Sequence, residues 1–525
     1  MKTIDNWHSI NNHSRLTLKE AGSIFIESIG CLWISIAIVQ ACLIRYFSSN
    51  IYYIDDMTRT VSGSGWDIVG RPLSSLTMQL LSGGRFLQDL SPVTQALGAI
   101  IITLAAYILS LSFFKEGSIK LLRILFILII ALNPYMLEMY SYRYDSLPYA
   151  IGFFLAALAH LTLFDFVFSP QSNEKLPAVL SLACAAALCL CVGTLFYQPI
   201  LTVFLVAGAF KLFILAISEP LSVKLKKLSI AFLSTIGSSL LTAKIFNDLL
   251  INSGDWAAGQ GQFTLSKIVT NLYMNTLKAW KIFQADWATP QNIFFLFAVM
   301  TLLNILVMVV AYIYITVKTN GISRSQLGQY LFSTLWLVTG CCLGLYGLTA
   351  ILDKPHMKPR TFIALGVTLA IPLLLPYTLG LAKNLYIKKY LTIVGFTGAL
   401  SVVIFALIWG NAIAAQNLYQ NAVIWQLAQD IYSSEKVEAK VAFENTIGFS
   451  PLISKTTLEK YPLLQRLLGR HPSSKWAFGY IGLRSKTGLS LTAADNCSRG
   501  DKSLLVDRIS YTIRDCNSEL LVSFK

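Results

Sequence analysis

Long apolar segments separated by short polar ones make up most of this chain. A helix needs about 20 mostly apolar residues to cross a membrane, and about eleven segments reach or approach that length. These segments are 24–46, 92–113, 121–137, 148–168, 177–196, 199–217, 228–250, 293–316, 329–351, 361–382 and 391–413. The pattern predicts an all-α polytopic membrane protein over residues 1–413.

The last part of the chain has a different pattern. Residues 439–443, 475–483 and 520–524 alternate like strands, and residues 456–469 resemble a helix. A hairpin with its turn at 515–518 is expected near the end. Residues 414–525 are therefore predicted to form a small α+β domain.

Two stretches between the apolar segments, 73–87 and 265–280, have apolar residues at helical spacing beside polar ones. Such stretches are typical of amphipathic helices that lie in the membrane interface. Ordinary loop helices packed on the bundle would give the same pattern.

Composition supports a membrane protein, since 55% of the residues are hydrophobic and only 13% are charged. Soluble proteins carry about 25% charged residues, so a soluble enzyme is excluded. The net charge is +15. In a membrane protein, lysine and arginine in the cytoplasmic loops usually account for such an excess, so it does not indicate a nucleic-acid partner.

Lysine and arginine recur in alternate loops, which predicts a cytoplasmic N-terminus. With an odd number of spans, the C-terminal domain is then periplasmic. The remaining loops, 47–91, 138–147, 251–292 and 352–360, are expected on the outer face. These loops are long and rich in aromatic residues, so the working face is expected to be the outer one.

An acidic pair, Asp55 and Asp56, lies in the first outer loop. Adjacent carboxylates repel each other, which raises the pKa of at least one. A carboxylate with a raised pKa suits a general base that takes a proton from a hydroxyl. The alternative is a solvated pair without a role.

Two further outer-loop clusters contain cations. Tyr142, Arg143 and Asp145 lie in the tyrosine-rich segment 140–148, which suits a sugar or phosphate site or an interfacial belt equally. The second cluster runs against the positive-inside trend and comprises Lys354, His356, Lys358 and Arg360. An anionic phosphate ligand would explain it, as would attraction to anionic lipid.

No nucleotide-binding loop or metal-binding Cys/His motif is present in the sequence. Carboxylates could hold a divalent ion, but departure of a phosphate already held by Arg and Lys needs no metal. No metal or other cofactor is therefore expected.

The stretch IDDMTRTVSGSGWDIVGRPLSSLTMQLLSGG, followed by SYRYDSLPYAIGFFLA and LFYQP, resembles the bacterial type II serotype-converting O-antigen glucosyltransferases, the Gtr family. The similarity covers roughly residues 25–410. It implies a GT-C-type membrane fold in the bacterial inner membrane. It also implies inverting transfer of a hexose from a polyprenyl-phosphate donor, with glucose as the expected hexose. The acceptor would be O-antigen lipopolysaccharide or another lipid-linked glycan on the periplasmic side.

By this resemblance Asp55 or Asp56 is the general base. Residues expected to bind substrate are Arg59, Arg71, Tyr142, Arg143, Asp145, Tyr197, Gln198, Lys354, His356, Lys358 and Arg360. Membrane lipid, a donor flippase and a donor-synthesising glycosyltransferase are the partners that such a system implies.

Two alternatives remain open from the sequence. A lipid-linked-sugar flippase or other transporter would carry ionisable residues at the bilayer midplane and related halves. An O-antigen polymerase or ligase would also have many spans and large outer loops, but would depend on arginines without an early carboxylate pair.

Cys497 and Cys516 are the two cysteines of the C-terminal domain. A periplasmic location favours their oxidation, so a disulfide between them is expected. Two free thiols are the alternative.

Overall fold

The computed structural model describes most of the chain. The described residues are 18–114, 120–166, 176–218, 223–250, 264–287, 292, 295–301, 303, 328, 332, 334–338, 340, 342, 347–355, 357–374, 385–434, 440–468, 503–516 and 519–525.

Helices dominate the described residues. In chain order the α-helices are α1 (Leu18–Phe47), α2 (Asp56–Ser62), α3 (Pro72–Leu81), α4 (Val93–Phe113), α5 (Lys120–Ala131), α6 (Leu137–Ser141), α7 (Ser146–Leu161), α8 (Leu176–Phe196), α9 (Leu201–Ser218), α10 (Val223–Leu250), α11 (Ile268–Trp287), α12 (Leu365–Ala370), α13 (Leu385–Ser433), α14 (Lys455–Lys460) and α15 (Pro462–Leu467). Short 3₁₀ turns include Asp67–Val69, Gln198–Ile200, Gly347–Ile351, Pro359–Thr361 and Ile371–Leu373, and a π-helical turn, Thr162–Phe166, follows α7.

The bundle is centred on α4 and α7, which pack along each other. Helix α4 also contacts α1 and α5, whereas α7 contacts α8 and α9. Side chains between them, such as Tyr107 and Phe153, are fully buried. The turn before α7, residues 142–145, carries three of the predicted site residues: Tyr142, Arg143 and Asp145.

Among the described residues, six helical segments are long and apolar enough to cross a membrane: Ser28–Phe47, Val93–Phe113, Ser146–Asp165, Gln198–Ala216, Lys227–Leu250 and Tyr386–Ser433. Each overlaps a span predicted from the sequence, although the last continues well past the predicted end at residue 413. Their length and apolar composition support a membrane protein. Among the other predicted spans, 177–196 corresponds to α8, whereas 121–137 contains only the 12-residue α5 before the chain turns. Segments 293–316, 329–351 and 361–382 lie partly outside the described residues, so the total of eleven stays a prediction.

A four-stranded sheet lies near the C-terminus. Its strands are β1 (Lys440–Glu444), β2 (Ser503–Asp507), β3 (Tyr511–Asp515) and β4 (Glu519–Phe524), in the order β1-β4-β3-β2. Strands β3 and β4 form the predicted hairpin, and β1 adds parallel to β4. Strand β2 was not predicted, and the predicted strand 475–483 lies outside the described residues.

The C-terminal region is continuous with the bundle. Helix α13 runs across position 413, and its residues 423–431 form a common core with the sheet. The predicted helix 456–469 is two short helices, because Pro462 cannot continue α14 and instead begins α15. Leu463 and Leu467 of α15 belong to the core of the bundle. The domain boundary after residue 413 stays a prediction.

Both predicted amphipathic segments are helical. The first, α3, ends at Leu81, before the predicted limit, and it exposes Leu76 and Leu80. The second, α11, exposes Val269 and Trp280 on one side. Exposed apolar faces of this kind fit a membrane interface, and a location there stays a prediction.

Candidate active site

The segment that carries the acidic pair bends sharply before α2. Ile54 has a φ of +40°, a left-handed conformation that β-branched residues rarely adopt. Asp55 follows it, Asp56 opens α2, and Gly63 ends that helix with a φ of +62°. Strained backbone persists only where surrounding contacts hold it. The bend places the two aspartates in different surroundings.

Asp56 is completely buried and accepts backbone hydrogen bonds. Its Oδ2 accepts from the N–H of Tyr53 at 2.9 Å, and both of its oxygens accept from the N–H of Arg143 at 3.1 Å. Burial raises the pKa of Asp56 well above its usual value, and these donors oppose the rise only in part. The sequence-based explanation, repulsion by Asp55, is wrong, because burial is the main cause. Asp56 fastens the first loop to the tyrosine-rich segment 140–148.

Asp55 is partly exposed. Within the described part of the chain its carboxylate has no hydrogen bond or ion pair. Burial is the main cause of the raised pKa values of Asp145 and Tyr53, and the charge of nearby Asp55 contributes to both. Of the acidic pair, Asp55 is therefore the carboxylate that a bound substrate could reach.

Arg59 and Arg71 share one buried carboxylate. The Nε of Arg59 lies 3.5 Å from Asp145 Oδ2, and a terminal nitrogen of Arg71 lies 3.8 Å from Asp145 Oδ1. Arg59 also stacks on Trp66 at 4.1 Å, and Arg71 donates to the hydroxyl of Tyr149 at 2.9 Å. Two guanidiniums against one carboxylate leave a surplus positive charge beside Asp55.

Tyr197 and Gln198 hold this arrangement from the turn before α9. Gln198 accepts from Arg71 Nε at 3.3 Å and donates to the carbonyl of Gly70 at 3.0 Å. The ring of Tyr197 lies 4.8 Å below the Arg71 guanidinium, and its hydroxyl donates to the carbonyl of Arg360 at 3.1 Å. The LFYQP segment therefore connects the first loop to the segment 357–361.

Arg143 is held by a separate set of contacts. Its Nε lies 3.2 Å from Asp89, another guanidinium nitrogen donates to Asn50 at 2.8 Å, and the guanidinium stacks on Tyr52 at 4.1 Å. Among the described residues, the side-chain contacts of Arg143 do not include Asp145, the carboxylate that Arg59 and Arg71 share. Its backbone N–H, bound to Asp56, is what connects it to the acidic pair.

A second ion pair joins Glu138, just before the tyrosine-rich segment, to Arg360 of the late cationic cluster. Glu138, in α6, is almost fully buried, and it accepts from the backbone N–H of Arg360 at 2.5 Å and pairs with the Arg360 side chain at 3.5 Å. The guanidinium of Arg360 lies 4.8 Å from the ring of Tyr142. Arg360 therefore lies beside Tyr142, and Glu138 neutralises its charge.

The rest of the late cluster is more exposed. Lys354 and Lys358 are exposed, without an ion pair within the described ranges, and His356 lies outside them. Helix α11 anchors the start of this segment, because Asn271 donates to Asp353 at 2.6 Å. Hydrogen bonds from Thr264 and, to a smaller extent, Asn271 lower the pKa of Asp353.

Sequence reasoning missed three carboxylates that organise the site: Glu138, Asp89 and Asp286. Each lies in a predicted outer loop, and each pairs with an arginine that is distant in sequence. Their shared feature in the sequence was an acidic residue in a predicted outer loop. Such a signal identifies a candidate but not its partner.

Among the described residues, no group of three His, Cys, Asp or Glu side chains is placed to hold a metal ion. Cys516 directly follows β3, but Cys497 lies outside the described ranges, so their disulfide stays a prediction.

Two comparisons relate the chain to known proteins. A 30% identical segment of 116 residues occurs in an "Uncharacterized 55.3 kDa protein in gtrB 5'region" of Salmonella phage P22, and it covers 22% of this chain and 24% of the phage protein. The matched part is thus about a quarter of that relative's length. The sequence model of the family described as "Glucosyl transferase GtrII" matches residues 44–371, which contain every element of the site described above. The chain therefore belongs to the GtrII glucosyl transferase family.

Proposed function

We propose that this protein transfers a glucosyl group from a polyprenyl-phosphate donor to a hydroxyl of O-antigen lipopolysaccharide at the periplasmic side of the bacterial inner membrane. The observation that carries the proposal is the juxtaposition of an accessible carboxylate, Asp55, with the two guanidiniums of Arg59 and Arg71 around the single carboxylate of Asp145. Inverting transfer needs this pairing of a base and a phosphate-binding cation. Membership of a glucosyl transferase family supports the choice of glucose.

The reaction is a single displacement at the anomeric carbon. The acceptor oxygen forms a bond to C1 while the bond between C1 and the phosphate oxygen breaks, and the electron pair leaves with the prenyl phosphate. Asp55 takes the proton from the acceptor hydroxyl. Arg59 and Arg71 stabilise the negative charge that grows on the departing phosphate.

The surroundings of the arginines support this assignment. Trp66, Tyr149, Tyr197 and Gln198 hold the two guanidiniums in fixed positions. Preorganised donors stabilise developing charge without reorganising during the reaction. Arg59 and Arg71 thus suit a phosphate that carries more charge after the bond breaks than before.

The direct experiment uses the purified full chain in proteoliposomes with prenyl-phosphate-[¹⁴C]glucose, O-antigen lipopolysaccharide and no nucleotide sugar. Label should appear in lipopolysaccharide by a glycosidic bond, and the Asp55→Asn variant should form far less labelled product. Transfer that requires a nucleotide sugar would contradict the proposed donor. Lengthened glycans without added hexose branches would favour a polymerase.

A transporter is the second candidate, because a buried ion pair lies within the spans. Lys211 Nζ is 2.9 Å from Asp165, and both side chains are almost fully buried. Charges inside spans often mark transport pathways. Lys211 also donates to the carbonyl of Ser112, in the last turn of α4, which places the pair near a helix end and not at its middle. In the same proteoliposomes, movement of labelled lipid across the bilayer without a glycosidic product would establish the transporter.

A further inference from the structure

Two tyrosine hydroxyls beside the candidate base are buried without a hydrogen-bond partner among the described residues. Tyr53 and Tyr142 are 2% and 1% exposed, and neither hydroxyl has a hydrogen-bond partner in the described part of the chain. Buried polar groups are normally paired, so each exception calls for an explanation. The neighbouring Tyr140 shows the ordinary case, since its buried hydroxyl donates to the carbonyl of Ala131 at 2.8 Å.

Both rings are fixed by their neighbours. Tyr53 and Tyr142 meet edge to face with ring centroids 5.0 Å apart, and Tyr142 also lies against the guanidinium of Arg360 at 4.8 Å. Tyr149 contacts Tyr142 from another side at 6.3 Å. Rings packed in this way hold their hydroxyls at set positions, as a preorganised binding site requires.

Charged groups lie around Tyr53. Burial raises the pKa of Tyr53 well above its usual value, and the charges of Glu138 and Asp55 add to the rise while Arg360 opposes it. Tyr53 thus keeps its proton, and it lies within the electrostatic reach of Glu138, Arg360 and the candidate base.

We propose that Tyr53 and Tyr142, together with Glu138, bind the hydroxyl groups of the hexose that is transferred, whereas Arg59 and Arg71 bind the phosphate. This assignment rests on the proposed function. A tyrosine hydroxyl both donates and accepts a hydrogen bond, and a carboxylate accepts, which matches the neutral hydroxyls of a pyranose better than a phosphate. The location beside Asp55 would bring the anomeric carbon near the base.

The experiment compares Tyr53→Phe and Tyr142→Phe with a matched control, Tyr140→Phe. Each of the first two variants should raise the KM for prenyl-phosphate-glucose about 5- to 10-fold, the effect of losing one neutral hydrogen bond. Their Tm should not fall, because no hydrogen bond within the protein is lost. Tyr140→Phe should lower Tm and leave the KM unchanged, since it leaves a buried carbonyl unpaired.

A second readout separates the sugar from the phosphate. Inhibition by prenyl phosphate that carries no sugar should be the same in the wild type, Tyr53→Phe and Tyr142→Phe. If both variants keep the wild-type KM, or if both lose Tm as Tyr140→Phe does without a change in KM, the hexose assignment is overturned. Equal weakening of prenyl-phosphate inhibition would also overturn it, because the tyrosines would then act on the phosphate.

Binding of prenyl-phosphate-glucose to the full chain in nanodiscs, followed by native mass spectrometry, distinguishes failure of this inference from failure of the proposed function. Wild-type binding that is weakened in both Phe variants, without glucosyl transfer, would refute the transferase and support the hexose site. Glucosyl transfer by the wild type, together with unaltered binding in both variants, would support the transferase and refute the hexose site. Absence of wild-type binding would refute both.

Discussion

Asp55 and Asp56 are adjacent in sequence, but they differ in what they can do. Asp55 is partly exposed and has no partner among the described residues, whereas Asp56 is buried and bound to two backbone N–H groups. We expect Asp55→Asn to reduce kcat for glucosyl transfer about 10²- to 10⁴-fold, the usual loss when a general base is removed. Its Tm should match that of the wild type, because no contact is lost. Transfer at the wild-type rate would remove Asp55 from the mechanism.

Asp56 should instead affect the pH dependence of stability. Unfolded aspartate titrates near pH 3.9, and burial raises the folded pKa of Asp56. The folded state then binds more protons than the unfolded state above that pH, so this residue lowers the free energy of unfolding as pH rises towards the folded pKa. Asparagine has no proton to lose. The stability of Asp56→Asn relative to the wild type should therefore increase with pH.

Thermal unfolding in detergent between pH 4 and 8 measures this difference. Asp55→Asn is the matched control, and its stability should follow the wild type across the series. If the Asp56→Asn and wild-type profiles run parallel, Asp56 is not the source of the expected pH dependence.

At the scale of elements, α6 and the 3₁₀ turn Pro359–Thr361 are joined by Glu138 and Arg360. Removing the Arg360 side chain leaves Glu138 buried with only a backbone donor. Breaking a buried pair in this way is strongly destabilising, so Arg360→Ala should lower the free energy of unfolding by about 3 kcal/mol and raise the donor KM.

Lys358→Ala is the matched control for the same segment, because Lys358 is exposed and carries no ion pair among the described residues. It should leave Tm unchanged. Denaturation curves for both variants, together with donor KM, test this. Equal stability of the two variants would mean that the Glu138–Arg360 pair does not hold the two elements together.

Periodicity predicted elements well and contacts between elements poorly. Six long helices and the β3–β4 hairpin lie where the hydrophobic pattern placed them, because those patterns are local. The link between Asp56 and Arg143 joins residues 87 positions apart, and that between Glu138 and Arg360 joins residues 222 positions apart. Hydrophobic spacing carries no information on such pairs. Residue type and loop location therefore singled out the cations and Asp145, but not Asp89, Glu138 and Asp286, the other carboxylates that pair with arginines.

At the scale of the whole molecule, one ion pair connects the C-terminal region to the segment that leads into the site. Arg466, in α15, pairs closely with Asp286 at the end of α11 and donates to the carbonyl of Met357 at 3.1 Å. Asp286 is almost fully buried and also accepts from the hydroxyl of Tyr135 at 2.9 Å. The C-terminal region thus helps to position the chain just before Lys358 and Arg360.

Arg466→Leu should therefore weaken both stability and catalysis. Burial raises the pKa of Asp286, and Arg466 opposes that rise. Without Arg466 the buried carboxylate loses its counter-charge, so the free energy of unfolding should fall by about 3–5 kcal/mol. The loss should grow as pH rises above about 4, because the folded state then has to ionise an unpaired acid. The donor KM should rise as well, since Met357 loses its anchor.

The double variant Asp286→Asn/Arg466→Leu decides which part of this effect is electrostatic. Asparagine still accepts from Tyr135 but carries no charge, so the double variant should recover most of the lost stability. It should not recover the donor KM, because the hydrogen bond from Arg466 to the Met357 carbonyl is still missing. Unfolding curves and donor KM for the wild type and the three variants of this cycle supply the measurement. If the double variant regains both quantities, Arg466 acts only by neutralising Asp286, and the C-terminal region does not position the 357–360 segment.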